Sequence, residues 1–106
     1  MQKISQNQKE KNCKDIFFKK CCVEGCTNLD IEWHHPLIYA GRQIADIVVP
    51  LCKFHHRGNM GTITREGKIY GEYYAITINA ELLYNKYNKF DWRQRLKYLE
   101  SQIKIL

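Results

Sequence analysis

No apolar run in these 106 residues is long enough to cross a bilayer, which excludes a helical membrane anchor and a membrane partner from the reading. The N-terminus has no apolar signal-peptide core either, because Met1 to Lys20 is polar and carries six lysines. A complete disulfide framework is missing too: five cysteines is an odd number. Intracellular thiols serve as metal ligands more often than as disulfides. Acidic residues are in deficit, 11 Asp and Glu against 17 Lys and Arg, for a formal charge of +6. That balance favours a polyanionic partner, nucleic acid first, although charge alone says only that the surface is basic. No repeat and no recognition helix stands out beyond residue 60. The expectation is a cytoplasmic, metal-binding chain of one domain, in which a structural metal supplements a modest core.

What is present is concentrated between Cys21 and Asn59. All four histidines and four of the five cysteines lie there. Cys22 and Cys26 have three residues between them, and Cys52 and His55 have two. The two pairs are separated by 25 residues. Two short-spaced pairs of thiolate or imidazole donors suit a tetrahedral zinc site. Gly25 allows the turn that lets two thiolates converge. Cys22 is preferred to Cys21 because three intervening residues fit a compact knuckle better than four. Cys13 is isolated and is read as a free thiol.

Along the rest of the chain, residues 1–20 read as a basic, frayed extension in which Ile16-Phe17-Phe18 packs onto the core. Residues 31–35 read as a strand with Ile31, Trp33 and His35 on one face and Glu32 and His34 on the other. Pro36 ends it, and residues 37–46 form a loop that turns at Gly41. Residues 47–49 are β-branched, read as a second strand, and stop at Pro50. Residues 52 to about 59 read as a short helix ended by Gly58 or Gly61. Residues 62–79 alternate Tyr and Ile with other residues and read as a hairpin turning at Glu66-Gly67. Asn79 is a candidate N-cap for a helix, and Asp91 with Gln94 forms a capping box for the last one. Trp92, Leu96, Leu99 and Ile103 recur at helical spacing and read as core, with Arg93, Arg95 and Lys97 beside them.

The series Cys22-x3-Cys26, Trp33-His34-His35-Pro36 and Val49-Pro50-Leu51-Cys52-x2-His55-His56 resembles the HNH endonuclease family, in the zinc-knuckle form common in phages and prophages. The resemblance spans roughly residues 20–60. It implies an α+β fold: a ββα-metal core over residues 21–61, preceded by the extension of residues 1–20. Residues 62–106 then supply the extra hairpin and C-terminal helices. It implies a structural zinc on Cys22, Cys26, Cys52 and His55. It also implies a catalytic Mg²⁺ or Mn²⁺ on His34 and His56, His35 as general base, and Asn59 as an alternative or extra site member. DNA is the implied substrate, in a bacterial or phage-infected cell, and a double-strand cut calls for a homodimer or two successive events. Arg57, Arg42 and Lys53 are candidate phosphate ligands, set against general surface charge. The sequence departs from the family pattern at Ile47, which stands where an asparagine is usual, and at His55, where cysteine is commoner. Two other readings compete. One is a non-catalytic zinc-stabilised module that binds nucleic acid through a degenerate HNH fold. The other places all the cysteines and histidines in two structural zinc sites.

Overall fold

Two four-residue strands hold the middle of the chain, in a computed structural model that describes residues 4–106. β1 (Ile31–His34) pairs antiparallel with the later strand Val49–Cys52, setting Ile31 opposite Cys52 and His34 opposite Val49. Between them run β2 (Ile38–Tyr39) and β3 (Arg42–Gln43), an antiparallel hairpin. Its turn is Ala40-Gly41, both at positive φ (52° and 80°), the backbone that a two-residue hairpin turn demands. The stretch expected as a loop thus holds a hairpin, with Gly41 in the turn as expected.

The strand Val49–Cys52 is β4, and it includes Pro50 rather than stopping there. The Pro50 carbonyl accepts from the Cys22 N–H at 2.9 Å, on the edge away from β1. A residue's N and C=O lie on the same side of a strand, so the missing proline N–H falls on that outer edge and costs no β1–β4 bond. Ile47 and Val48 are buried but precede the strand. α2 (Lys53–Arg57) follows without a loop, with Cys52 as its N-cap and Gly58 (φ 58°) as its C-cap.

Residues 62–79 correct the expected hairpin. Most of them form α3 (Arg65–Ile78), capped by the Thr64 hydroxyl, which accepts from the Gly67 N–H at 3.1 Å. Ile69, Tyr70 and Ile76 are buried at helical spacing, while Ile78 is 55% exposed. Apolar burial at a period of 3.6 outweighed the β propensity of Ile, Tyr and Thr. Asn79 closes α3 with its side chain, donating to the Ala75 carbonyl at 2.8 Å, and gives no side-chain cap to α4 (Ala80–Lys86). α5 (Trp92–Lys104) starts as expected, with the Asp91 carboxylate accepting from the Gln94 N–H. Trp92 and Leu99 are buried, with Leu96 and Ile103 packed beside them. Arg95, expected on a charged edge, instead pairs bidentately with Glu72 of α3 at 2.5 and 2.7 Å.

The N-terminal extension is more ordered than expected. Ser5 caps α1 (Gln6–Lys14), and the Ser5 N–H donates to the Asp46 carboxylate at 2.8 Å. A 3-10 turn, Ile16–Lys19, then brings Phe17 against the core while Ile16 stays exposed. Residues 1–3 of the expected extension, Lys3 among them, lie outside the described residues. The core runs from Leu37 and Ile47 through Leu51 of β4 to Ile76, Leu83 and Leu99 of the helices. The fold is α+β. Among the described residues no helix is long and apolar enough to cross a membrane.

Candidate metal centre

The thiols of Cys21, Cys26 and Cys52 and a ring nitrogen of His55 lie within 4.8 Å of one another. The Cys21 Sγ is 3.5 Å from His55 Nδ1, Cys52 Sγ is 3.3 Å from it, and Cys26 Sγ is 3.9 Å from Cys52 Sγ. A tetrahedral zinc, with bonds of ~2.3 Å to sulfur and ~2.0 Å to nitrogen, has donor–donor edges of about 3.5 to 3.8 Å. The donor set and its spacing therefore fit one zinc ion, a Cys3His site. Two backbone features build it. A turn with Gly25 at φ 82° closes the first loop through a bond from the Cys26 N–H to the Val23 carbonyl. The passage from β4 straight into α2 puts Cys52 at the N-cap and His55 on the first turn.

The ligand expected at Cys22 is Cys21. The Cys22 N–H is engaged with Pro50 of β4, and the Cys22 side chain is buried in the core. The adjacent Cys21 is the one that meets His55. Spacing alone could not separate two neighbouring thiols; the edge contact with β4 does. Burial, and then the neighbouring Cys21, push the Cys22 thiol up to about 12, so it stays a protonated core group. Burial also raises Cys21, to about 11, and a coordinated cation is what would ionise it. At Cys52 burial raises the thiol, but hydrogen bonds from the Asn28 side chain and from the His55 N–H and ring outweigh it and bring the value down to about 6.

A second group lies across β1 and α2. The rings of His34 and His56 are 5.2 Å apart between centroids. Burial, then His56 and His35, lower His34 to about 4, so its imidazole is neutral at ordinary pH. His56 Nδ1 lies 2.9 Å from a Glu32 oxygen, and Arg57 closes on both Glu32 oxygens. Arg57 and then His56 hold the Glu32 carboxyl below the usual range. Glu32 was not singled out from the sequence, although alternation already placed it on the His34 face. His35 Nε2 sits 3.1 Å from the Ala45 carbonyl. Among the described residues, the Cys3His set is the one group of three or more His, Cys, Asp or Glu donors drawn this close. His34, His35 and His56 do not form such a group.

The other expected site residues are more peripheral. Arg57 is turned onto Glu32. Lys53 pairs with Asp30 at 3.5 Å, both exposed. Arg42 is exposed on β3, and Asn59 lies in the exposed turn beyond Gly58. Cys13 is an exposed free thiol. No protein-family model, curated protein or solved structure matches the chain.

Proposed function

We propose that the chain is a metal-dependent HNH-type endonuclease that hydrolyses phosphodiester bonds in DNA. The observation that supports this most is the pairing of His34 from β1 with His56 from α2, next to the Cys3His group but separate from it. A structural module needs the thiols and His55 and has no use for two further imidazoles facing each other.

The roles follow from what each ring touches. A carbonyl oxygen only accepts, so His35 Nε2 carries a proton toward Ala45. The neutral ring then has a bare Nδ1, which takes a proton from water as general base. The water oxygen forms the new bond to phosphorus, and the P–O3′ bond on the far side breaks. His34 and His56 would hold one Mg²⁺ or Mn²⁺, which when bound supplies positive charge against the phosphate and the leaving oxygen. By accepting from His56 Nδ1, Glu32 fixes Nε2 as the nitrogen left for that ion. Zinc on Cys21, Cys26, Cys52 and His55 anchors β4 and α2 and takes no part in hydrolysis.

The test is cleavage of plasmid and single-stranded DNA with Mg²⁺ or Mn²⁺, by wild type and by His35→Ala. Loss of a general base is expected to slow cleavage by about 10²–10⁴-fold. Equal cleavage by the two proteins removes His35 from the mechanism.

A second reading is a zinc-stabilised module that binds nucleic acid without cutting it. It is favoured by Ile47, buried where the family pattern has an asparagine, and by Glu32, whose oxygens are taken up by His56 and Arg57. DNA binding with no cleavage under any divalent ion supports that module.

A further inference from the structure

We infer that the corner between α4 and α5 is a second nucleic-acid subsite. It takes one unpaired nucleotide of a single strand, with the base on Phe90 and the phosphate on Lys89 and Arg93. The inference rests on nucleic acid being the partner, as proposed above, and does not depend on cleavage.

A cavity of about 380 Å³ opens at this corner, lined by Tyr84, Asn88, Lys89, Phe90, Asp91 and Arg93 among others. That volume is in the range of small-ligand sites. Phe90 is 46% exposed, and its ring is backed by Trp92 at 4.6 Å between centroids. Trp92 is itself fixed, its indole N–H donating to the Tyr87 carbonyl at 2.7 Å. The exposed ring is thus held in place before any ligand arrives. The Arg93 guanidinium lies over the Tyr84 ring at 5.1 Å, which steadies a second cation beside Lys89. The one carboxylate in the lining, Asp91, is engaged in capping α5.

An exposed aromatic ring among cations matches a base and its phosphate. Such platforms bind single strands, because every unpaired base offers a π-face that a duplex keeps stacked. The cationic rim argues against an apolar peptide. The corner is also joined to the proposed reaction site. Tyr39 of β2 packs edge-on against Tyr87 at 5.1 Å, and its hydroxyl accepts from the Lys89 N–H at 3.4 Å. The β2–β3 hairpin begins just after His35 and leads to Ala45, whose carbonyl holds the His35 ring. Hairpin and corner therefore lie along one connected path from the histidines.

The experiment uses the zinc-loaded full chain with no added Mg²⁺ or Mn²⁺. Binding is followed by fluorescence anisotropy with a labelled oligothymidylate of about a dozen nucleotides, within the site sizes of such platforms. A duplex of equal length and free thymidine monophosphate are the comparison arms. Phe90→Ala is expected to weaken strand binding about tenfold and leave duplex binding unchanged, with Phe90→Trp restoring it. Lys89→Gln combined with Arg93→Gln is expected to flatten the slope of log affinity against log salt by about 0.7, the value for one phosphate of a single strand. Zinc content and thermal midpoint equal to wild type show that the variants are folded. Strand binding by Phe90→Ala equal to wild type overturns the subsite, as does an equal loss on the duplex. Free thymidine monophosphate competing as well as the strand also overturns it, in favour of a mononucleotide pocket. A chain that never cleaves but binds the strand through Phe90 keeps the subsite and ends the nuclease proposal.

Discussion

Cys21 and Cys22 differ by one step along the backbone, and that step decides which thiol meets His55. The Cys22 N–H is tied to the outer edge of β4, which leaves its side chain in the core and Cys21 against the imidazole. The two serine variants should therefore separate cleanly. Cys21→Ser is expected to lose the bound zinc on dialysis and to melt lower than wild type. Cys22→Ser is expected to retain one zinc per chain, at a cost of about 1–3 kcal/mol for a hydroxyl among apolar neighbours. Elemental analysis after dialysis, with a thermal melt on the same sample, reads both. The opposite pattern, with zinc kept by Cys21→Ser and lost by Cys22→Ser, would return Cys22 to the ligand set. Glu32 makes a similar point about neighbours. It shares a strand face with His34, and what gives it a role is α2 bringing His56 and Arg57 onto that face.

Among the elements, the contact that sets the site's geometry is the crossing of α3 over α2 at Gly67. A Cβ on Gly67 would stand 2.5 Å from the His55 carbonyl oxygen and 3.1 Å from the Thr64 hydroxyl. The Thr64 N–H and hydroxyl both donate to that same His55 carbonyl. Alanine raises helix propensity by about 1 kcal/mol over glycine. Here the clash is with fixed backbone beside a zinc ligand, so overpacking of about 1–3 kcal/mol offsets or exceeds that gain. Gly67→Ala is expected to lower the denaturant midpoint and weaken zinc retention. A variant as stable as wild type would show that α3 does not bear on His55. The same glycine explains one misreading of the sequence. Glu66-Gly67 between Thr, Ile and Tyr looks like a hairpin turn, yet the glycine serves close approach inside a helix. That reason is tertiary and invisible to local pattern. α5 was legible because its signals are local: the Asp91 cap and a four-residue apolar stripe on one helix face. The short helix after Cys52 was legible from the ligand spacing and Gly58, whereas the strand before it was displaced: of the β-branched run 47–49 only Val49 lies in β4, which continues through Pro50 to Cys52. α1 was not legible, because no apolar residue of its sequence is buried. Asn12 is its buried residue, and Ser5 ties its start to Asp46.

Across the whole molecule, the Cys3His site joins the turn before β1 to the start of α2, so it closes the Ile31–Cys52 end of the β1–β4 pair. Helix α3 rests on that pair through Ile76 with Val49 and Leu51, and α4 and α5 pack against α3, all in one core. Small domains are stable by about 5–15 kcal/mol in total. Structural zinc sites in small peptides bind with about 10–16 kcal/mol at neutral pH. The share of a zinc held there would therefore be comparable to the entire margin, and its removal should reach beyond the knuckle. The two tryptophans report the two sides of the core. Trp33 lies on β1 opposite Pro50 and packs against Phe18, while Trp92 is buried at the start of α5. A zinc-selective chelator at neutral pH is expected to shift the emission of a Trp92→Phe variant, which reads Trp33, before that of Trp33→Phe, which reads Trp92. A loss of even about 3 kcal/mol would lower the thermal midpoint by about 12–24 °C in a domain near this size. Adding one equivalent of zinc should restore both signals. If complete removal of zinc leaves the midpoint and both emissions unchanged, the thiols and His55 are packing groups and the metal does not hold the fold.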